Sequence, residues 1–203
     1  VTALLCGCVP GVTLRVPRAA VANLPLEQRL TLLDAESDVL AAQDARDRQE
    51  EELQAADNRQ TESEGRVRSA RQALSRARET STSTDIAAAA LEEATARLRF
   101  AERTVILERE LLTIADLSVE LARARFELAR AHEVDAAGQG GRFGVRLADY
   151  QHQADAIARA VDERMQEDEH VRAAVADSQQ AWKSAAQELA KLTGGGQGSV
   201  WVQ

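Results

Sequence analysis

The chain has 203 residues, of which 29% are charged and only 3% aromatic, and its formal net charge is −8. Much of its apolar content is alanine, which buries little area, so a compact sphere would gain little hydrophobic free energy per residue. This argues against an ordinary globular core and for long helices packed side by side, while the negative charge gives no reason to expect a nucleic-acid partner.

The first eight residues, VTALLCGC, hold both cysteines of the chain, Cys6 and Cys8. A disulfide between them would close a tiny strained loop, and no other cysteine exists to pair with either. A metal site would need further Cys or His ligands nearby, and there are none. What remains is processing. "LCGC", Leu5 to Cys8, resembles the lipobox of bacterial lipoproteins: an apolar residue, a tolerant position, a small residue, then cysteine. Gly7 before Cys8 fits that pattern, and Leu5 before Cys6 fits it poorly. The resemblance implies that Cys8 is diacylated and that residues 1–8 hold the end of a signal peptide and its lipobox. Val1 to Leu5 are only a fragment of an apolar signal region, so the resemblance expects the rest of the leader upstream. Val9 in place of Asp implies, by the enteric sorting rule, the outer membrane of a Gram-negative bacterium, facing the periplasm.

All three prolines, Pro10, Pro17 and Pro25, fall in the first 25 residues. Residues 9–24 therefore read as an extended tether, with Asn23 as a cap and Pro25 in the first helical turn. Breaks at "TSTST" (80–84), "GQGGRFG" (138–144) and "GGGQG" (194–198) then divide the chain into helices over about 25–79, 85–136 and 145–192. Each would be on the order of 70–80 Å long at 1.5 Å per residue.

Heptad patterns run along all three helices. In the third, Leu147, Ala154, Val161, Val175, Trp182 and Leu189 share one series, interrupted by Asp168; Arg164 interrupts the partner series. In the second, Leu91, Leu98, Val105, Leu112, Val119 and Phe126 alternate with Ala94, Ala101, Glu108, Ala115, Ala122 and Ala129, and Phe100, Leu107, Ile114, Leu121 and Leu128 form another stripe. In the first, Leu26, Leu30, Leu33 and Leu40 begin a seam that Leu53, Val67 and Leu74 resume in a shifted register. The expected fold is all-α, an elongated antiparallel three-helix coiled coil over 25–192 with a flexible tail at 193–203. Folding the chain at its breaks sets the polar "QDARDRQEEE" (43–52) opposite the most apolar part of the second helix. Leu112, Ile114, Leu117, Val119 and Leu121 are therefore candidate partner-binding residues. Trp201, in the tail "SVWVQ", is another candidate anchor.

No catalytic constellation is legible. His132, His152 and His170 lack metal-ligand spacing, and the glycine-rich turn joins two helices without matching a dinucleotide fingerprint. No enzyme activity, cofactor, metal or small-molecule substrate is expected. The arginines around the first turn, Arg66, Arg68, Arg71, Arg76, Arg78, Arg97, Arg99 and Arg103, form either a solvated face or a docking tip for an acidic partner. The leading reading is a lipid-anchored periplasmic scaffold or interaction protein, bound to the membrane through Cys8 and to itself or another envelope protein. "ELARARFELARAHEVDAAGQGGRFGVRLADYQHQADAI" (120–157) is also loosely similar to the helix–glycine–helix stretch of TolC-type efflux channels. That likeness implies, as the alternative, an accessory hairpin of an efflux system. A holdase-type chaperone is a third class, and it does not account for the lipid site.

Overall fold

The computed structural model describes residues 11–194, and every regular element among them is helical. Two short helices, α1 (Arg18–Ala22) and α2 (Leu26–Leu30), precede the long α3 (Leu32–Thr80) and α4 (Thr84–Ala136). A single turn, α5 (Gly140–Phe143), leads into the long α6 (Leu147–Leu192). The long helices are built from alanine, leucine, glutamate and arginine, the residues that lose least on entering a helix. They end where those residues give way to Thr/Ser and Gly runs, close to the expected boundaries.

Their ends share one chemistry. After α3 the Thr82 N–H donates to the Ala77 carbonyl at 3.0 Å, with Ser81 between them at φ 56°. After α4 the Gln139 N–H donates to Val134 at 3.0 Å across Gly138 at φ 69°. Both are six-residue closures that need a left-handed residue just past the helix. Gly138 meets that need without strain, whereas Ser81 carries a Cβ into it.

The chain divides into two compact units, whose described parts are residues 11–50 with 111–166 and residues 51–110 with 167–194. In the first unit one cluster joins Val16, Ala20, Leu24 and Leu32 to Ala131, Val134, Val145 and Tyr150. A second joins Ala124 of α4 to Ala154 and Ile157 of α6. Small residues on α4 let the neighbouring helices approach closely, and Ala124 and Ala131 are fully buried. In the second unit the buried apolar residues are Ala56, Val67 and Leu74 of α3 and Ala89, Ala94, Ala101 and Val105 of α4, again mostly alanine.

Residues 11–24 differ from the expected tether. Val16, Ala20 and Leu24 are buried in the first unit's core, and α1 lies within this stretch. The Val16 N–H donates to buried Glu127 at 2.8 Å, and the Val12 N–H donates to Glu120 at 3.0 Å. Gln153 accepts from the Thr13 and Leu14 N–H groups at 2.8 Å each. Carboxylate and amide side chains thus supply the acceptors that an irregular, proline-containing segment cannot find within itself. Pro25 caps α2, and Asn23 stands at the C-terminal end of α1 instead of capping a long helix. Residues 9 and 10 lie outside the described residues.

Candidate functional site

The surface that stands out belongs to the first unit and begins at α2. Leu26, Leu30, Leu33 and Leu40 are each more than half exposed. Thr31, between α2 and α3, keeps helical dihedrals (φ −63°, ψ −20°), so the helical phase carries across it. At about 100° per residue the four leucines fall within an arc of about 80°. Ser37 lies on the same arc. The inward face of this stretch is Leu32, Ala35, Val39, Ala42 and Arg46, which are buried or half-buried and lie on the opposite side. The leucine seam expected to pack inward therefore points outward, and Leu32 with the smaller Ala35, Val39 and Ala42 takes the inward face.

Arg46 marks where that inward face turns polar. Its guanidinium donates to Asp116 of α4 at 3.1 Å and contacts Asp47 and Glu50 on its own helix. These acceptors, Asp116 first, raise its pKa. Charge from α3 thus meets charge on α4, and the expected apolar mismatch resolves differently. Leu117 and Val119 are buried within the first unit, while Leu112, Ile114 and Leu121 are half-buried. Leu117 and Val119 are therefore not part of an exposed stripe. Cys8 and Trp201 lie outside the described residues.

In the second unit Trp182 of α6 stacks on Phe100 of α4, with centroids 5.5 Å apart and planes 14° apart. Its indole N–H donates to Glu93 at 2.7 Å, and Arg97 lies 5.3 Å from the ring. This cluster joins α4 to α6 and uses the indole at both its face and its edge. A cleft of about 780 Å³ in the same unit is lined by Arg99, Glu102, Arg103 and Ile106 of α4 and by Ala174, Asp177 and Ser178 of α6. Two guanidiniums and two carboxylates share that lining, so it presents no single charge to a ligand. Of the arginines near the first turn, Arg66 pairs with Glu62 at 2.6 Å and holds that carboxyl below its ordinary range. Arg68 lies 3.9 Å from Glu64 and Arg97 stacks on Trp182, so internal pairing accounts for part of the cluster.

Asp168, a polar interruption of the third helix's heptads, is buried and pairs with Arg172 one turn away. Among the described residues no group of three or more His, Cys, Asp or Glu side chains could hold a metal ion. No helix among them is long and apolar enough to cross a membrane. The outward direction of the leucine stripe was hidden from sequence, because a heptad pattern reads the same whichever way it faces. No family model, curated protein or solved structure matches this chain.

Proposed function

We propose that the chain is a lipid-anchored interaction module of a bacterial envelope, acting by binding instead of catalysis, with its contact surface on α2 and the start of α3. The observation that carries this reading is the leucine stripe, four large apolar side chains aligned on the solvent face of a charged helix. A contiguous exposed apolar patch on a polar surface is a common mark of a docking site. The anchor rests on the lipobox resemblance of Leu5 to Cys8, which suits an outer-membrane lipoprotein facing the periplasm.

Docking of the N-terminal segment changes what such an anchor does. Val12 is already held by Glu120. The four residue-to-residue steps from Cys8 to Val12 span at most about 14 Å. A lipid on Cys8 therefore holds the first unit beside the bilayer and not at the end of a long tether.

Within each unit we place segments of α3, α4 and α6 in an antiparallel three-helix coiled coil. In the first unit this is supported by Leu32 beside Ala131 and Val134, and by Arg46 pairing with Asp116 as α3 ascends and α4 descends. In the second, Asp57 lies 3.5 Å from Arg109, and Trp182 reaches Glu93 and Phe100.

The reading is tested in cells with the gene's own upstream leader. Cys8→Ser should move the protein to the soluble periplasmic fraction, and Cys6→Ser should leave it on the membrane; equal retention of both removes the anchor. A photo-crosslinking residue placed at Leu33 should trap a defined protein adduct that the same residue at exposed Ser75 does not. Failure to trap any protein at Leu33 removes the interaction role.

A further inference from the structure

We infer that the leucine stripe is a self-association seam, and that its occupant is the same stripe of a second copy in a parallel, in-register pair. The inference rests on the interaction-module reading and is independent of the lipid anchor.

The spacing itself points to a coiled-coil partner. Leu26, Leu33 and Leu40 recur every seven residues, and Leu30 and Ser37 occupy the alternating positions four residues on. This is the a/d pattern that two supercoiled helices bury between them, with leucine at every d position. The stripe spans 15 residues, about 21 Å at the helical rise, a short seam suited to a reversible pair.

The flanking charges select the alignment. In a parallel pair the residue just before an a position faces the residue just after the next d position of the partner helix. Here those residues are Arg29 and Asp34, so each copy's arginine meets the other's aspartate on both sides of the seam. All four leucine layers then match like with like. Antiparallel alignments lose this. Setting Leu30 against Leu40 puts Leu33 against Ser37 and brings Asp34 toward Asp34 and Glu36 toward Glu36. Setting Leu30 against Leu33 puts Leu26 against Ser37 and brings Glu27 toward Asp34, which offsets the attraction of Arg29 for Glu36 in the same register. Within one chain the inward residues Leu32, Ala35 and Val39 already occupy the opposite face, so a second copy can dock without disturbing the core.

The test is sedimentation equilibrium of the full chain, with reductant present, over a concentration series. The wild type should associate to a dimer in the micromolar-to-submillimolar range. Leu33→Glu with Leu40→Glu should raise the dissociation constant at least 100-fold with unchanged helical circular dichroism. Ser37→Leu, which fills the polar layer, should tighten the pair about 10-fold, so the idea stays testable even if the glutamate variant misfolds. Arg29→Asp should weaken the pair, and adding Asp34→Arg should restore it. With Cys6→Ser and Cys8→Ser in the background, Leu26→Cys, Leu33→Cys and Leu40→Cys should each cross-link to its own copy under mild oxidation. A wild type that stays monomeric throughout the range overturns the assignment, as does a dimer indifferent to the stripe variants. A monomer whose Leu33 site still traps a different protein in cells overturns the second-copy assignment and leaves the interaction reading standing.

Discussion

Leu32 and Leu33 are joined by one peptide bond and face opposite sides of α3: Leu32 is 6% exposed and Leu33 55%. Leu32 packs in the cluster that holds Ala131, Val134 and Tyr150. Leu33 belongs to the outward stripe. The helical turn of about 100° per residue is enough to carry one leucine to the core and leave the next in water.

Truncating the two leucines should therefore separate core from surface. Leu32→Ala leaves a cavity in the first unit and should lower stability by about 2–4 kcal/mol. Leu33→Ala, assayed by urea denaturation at a concentration too low for association, should change it by no more than about 0.5 kcal/mol. Equal losses in the two variants would mean that Leu33 is covered within the chain.

The N-terminal segment should behave as part of the fold. The Val12, Leu14 and Val16 amides donate to Glu120, Gln153 and Glu127, so hydrogen exchange at these positions should be slowed well below that of an extended peptide. Glu127→Ala removes the acceptor of the Val16 N–H and one partner of the 2.9 Å pair with Arg130. It should speed exchange at Val16 and cost about 1–3 kcal/mol, because a buried donor is left unsatisfied. Rapid exchange at Val16 in the wild type would show a loose tether.

Ser81 offers a stabilising substitution. It holds φ 56° at the position after α3 that glycine fills after α4. Ser81→Gly should raise the thermal midpoint, with a net gain of about 0.5–1 kcal/mol once the added freedom of the unfolded chain is deducted from the strain relieved. Gly138→Ala should do the reverse by a similar amount. A neutral outcome at both sites would mean that the turns relax without left-handed residues.

Tyr150 is the chain's single tyrosine, so its ionisation can be followed alone by absorbance near 295 nm. Burial first, then the nearby carboxylates of Glu127 and Asp149, raises its pKa above the ordinary value of 10.0. The neutral phenol is the form the fold prefers. Its contribution to stability is thus complete below pH 10.0 and is lost as pH rises through the higher folded value. Titration of the native protein should lag that of the urea-unfolded chain, and unfolding should become easier above that pH. Coincident curves would place Tyr150 in water.

The sequence by itself determined the three long helices and where they stop. Runs of alanine, leucine, glutamate and arginine favour helix at each residue, and Thr80 to Thr84 and the glycines from Gly138 to Gly144 interrupt them locally. Those signals need no distant partner. What only tertiary structure decided is which apolar face turns inward. Leu26, Leu30, Leu33 and Leu40 and the series of Leu32, Ala35, Val39 and Ala42 are both plausible seams on one helix. Packing of Leu32 with Ala131 and Val134 of α4, and pairing of Arg46 with Asp116, select the second series and leave the first in water. The same holds for residues 11–24. Their prolines announce that they will not extend a long helix. Only Glu120, Glu127 and Gln153, more than a hundred residues away, supply the hydrogen-bond acceptors that fix them against the core.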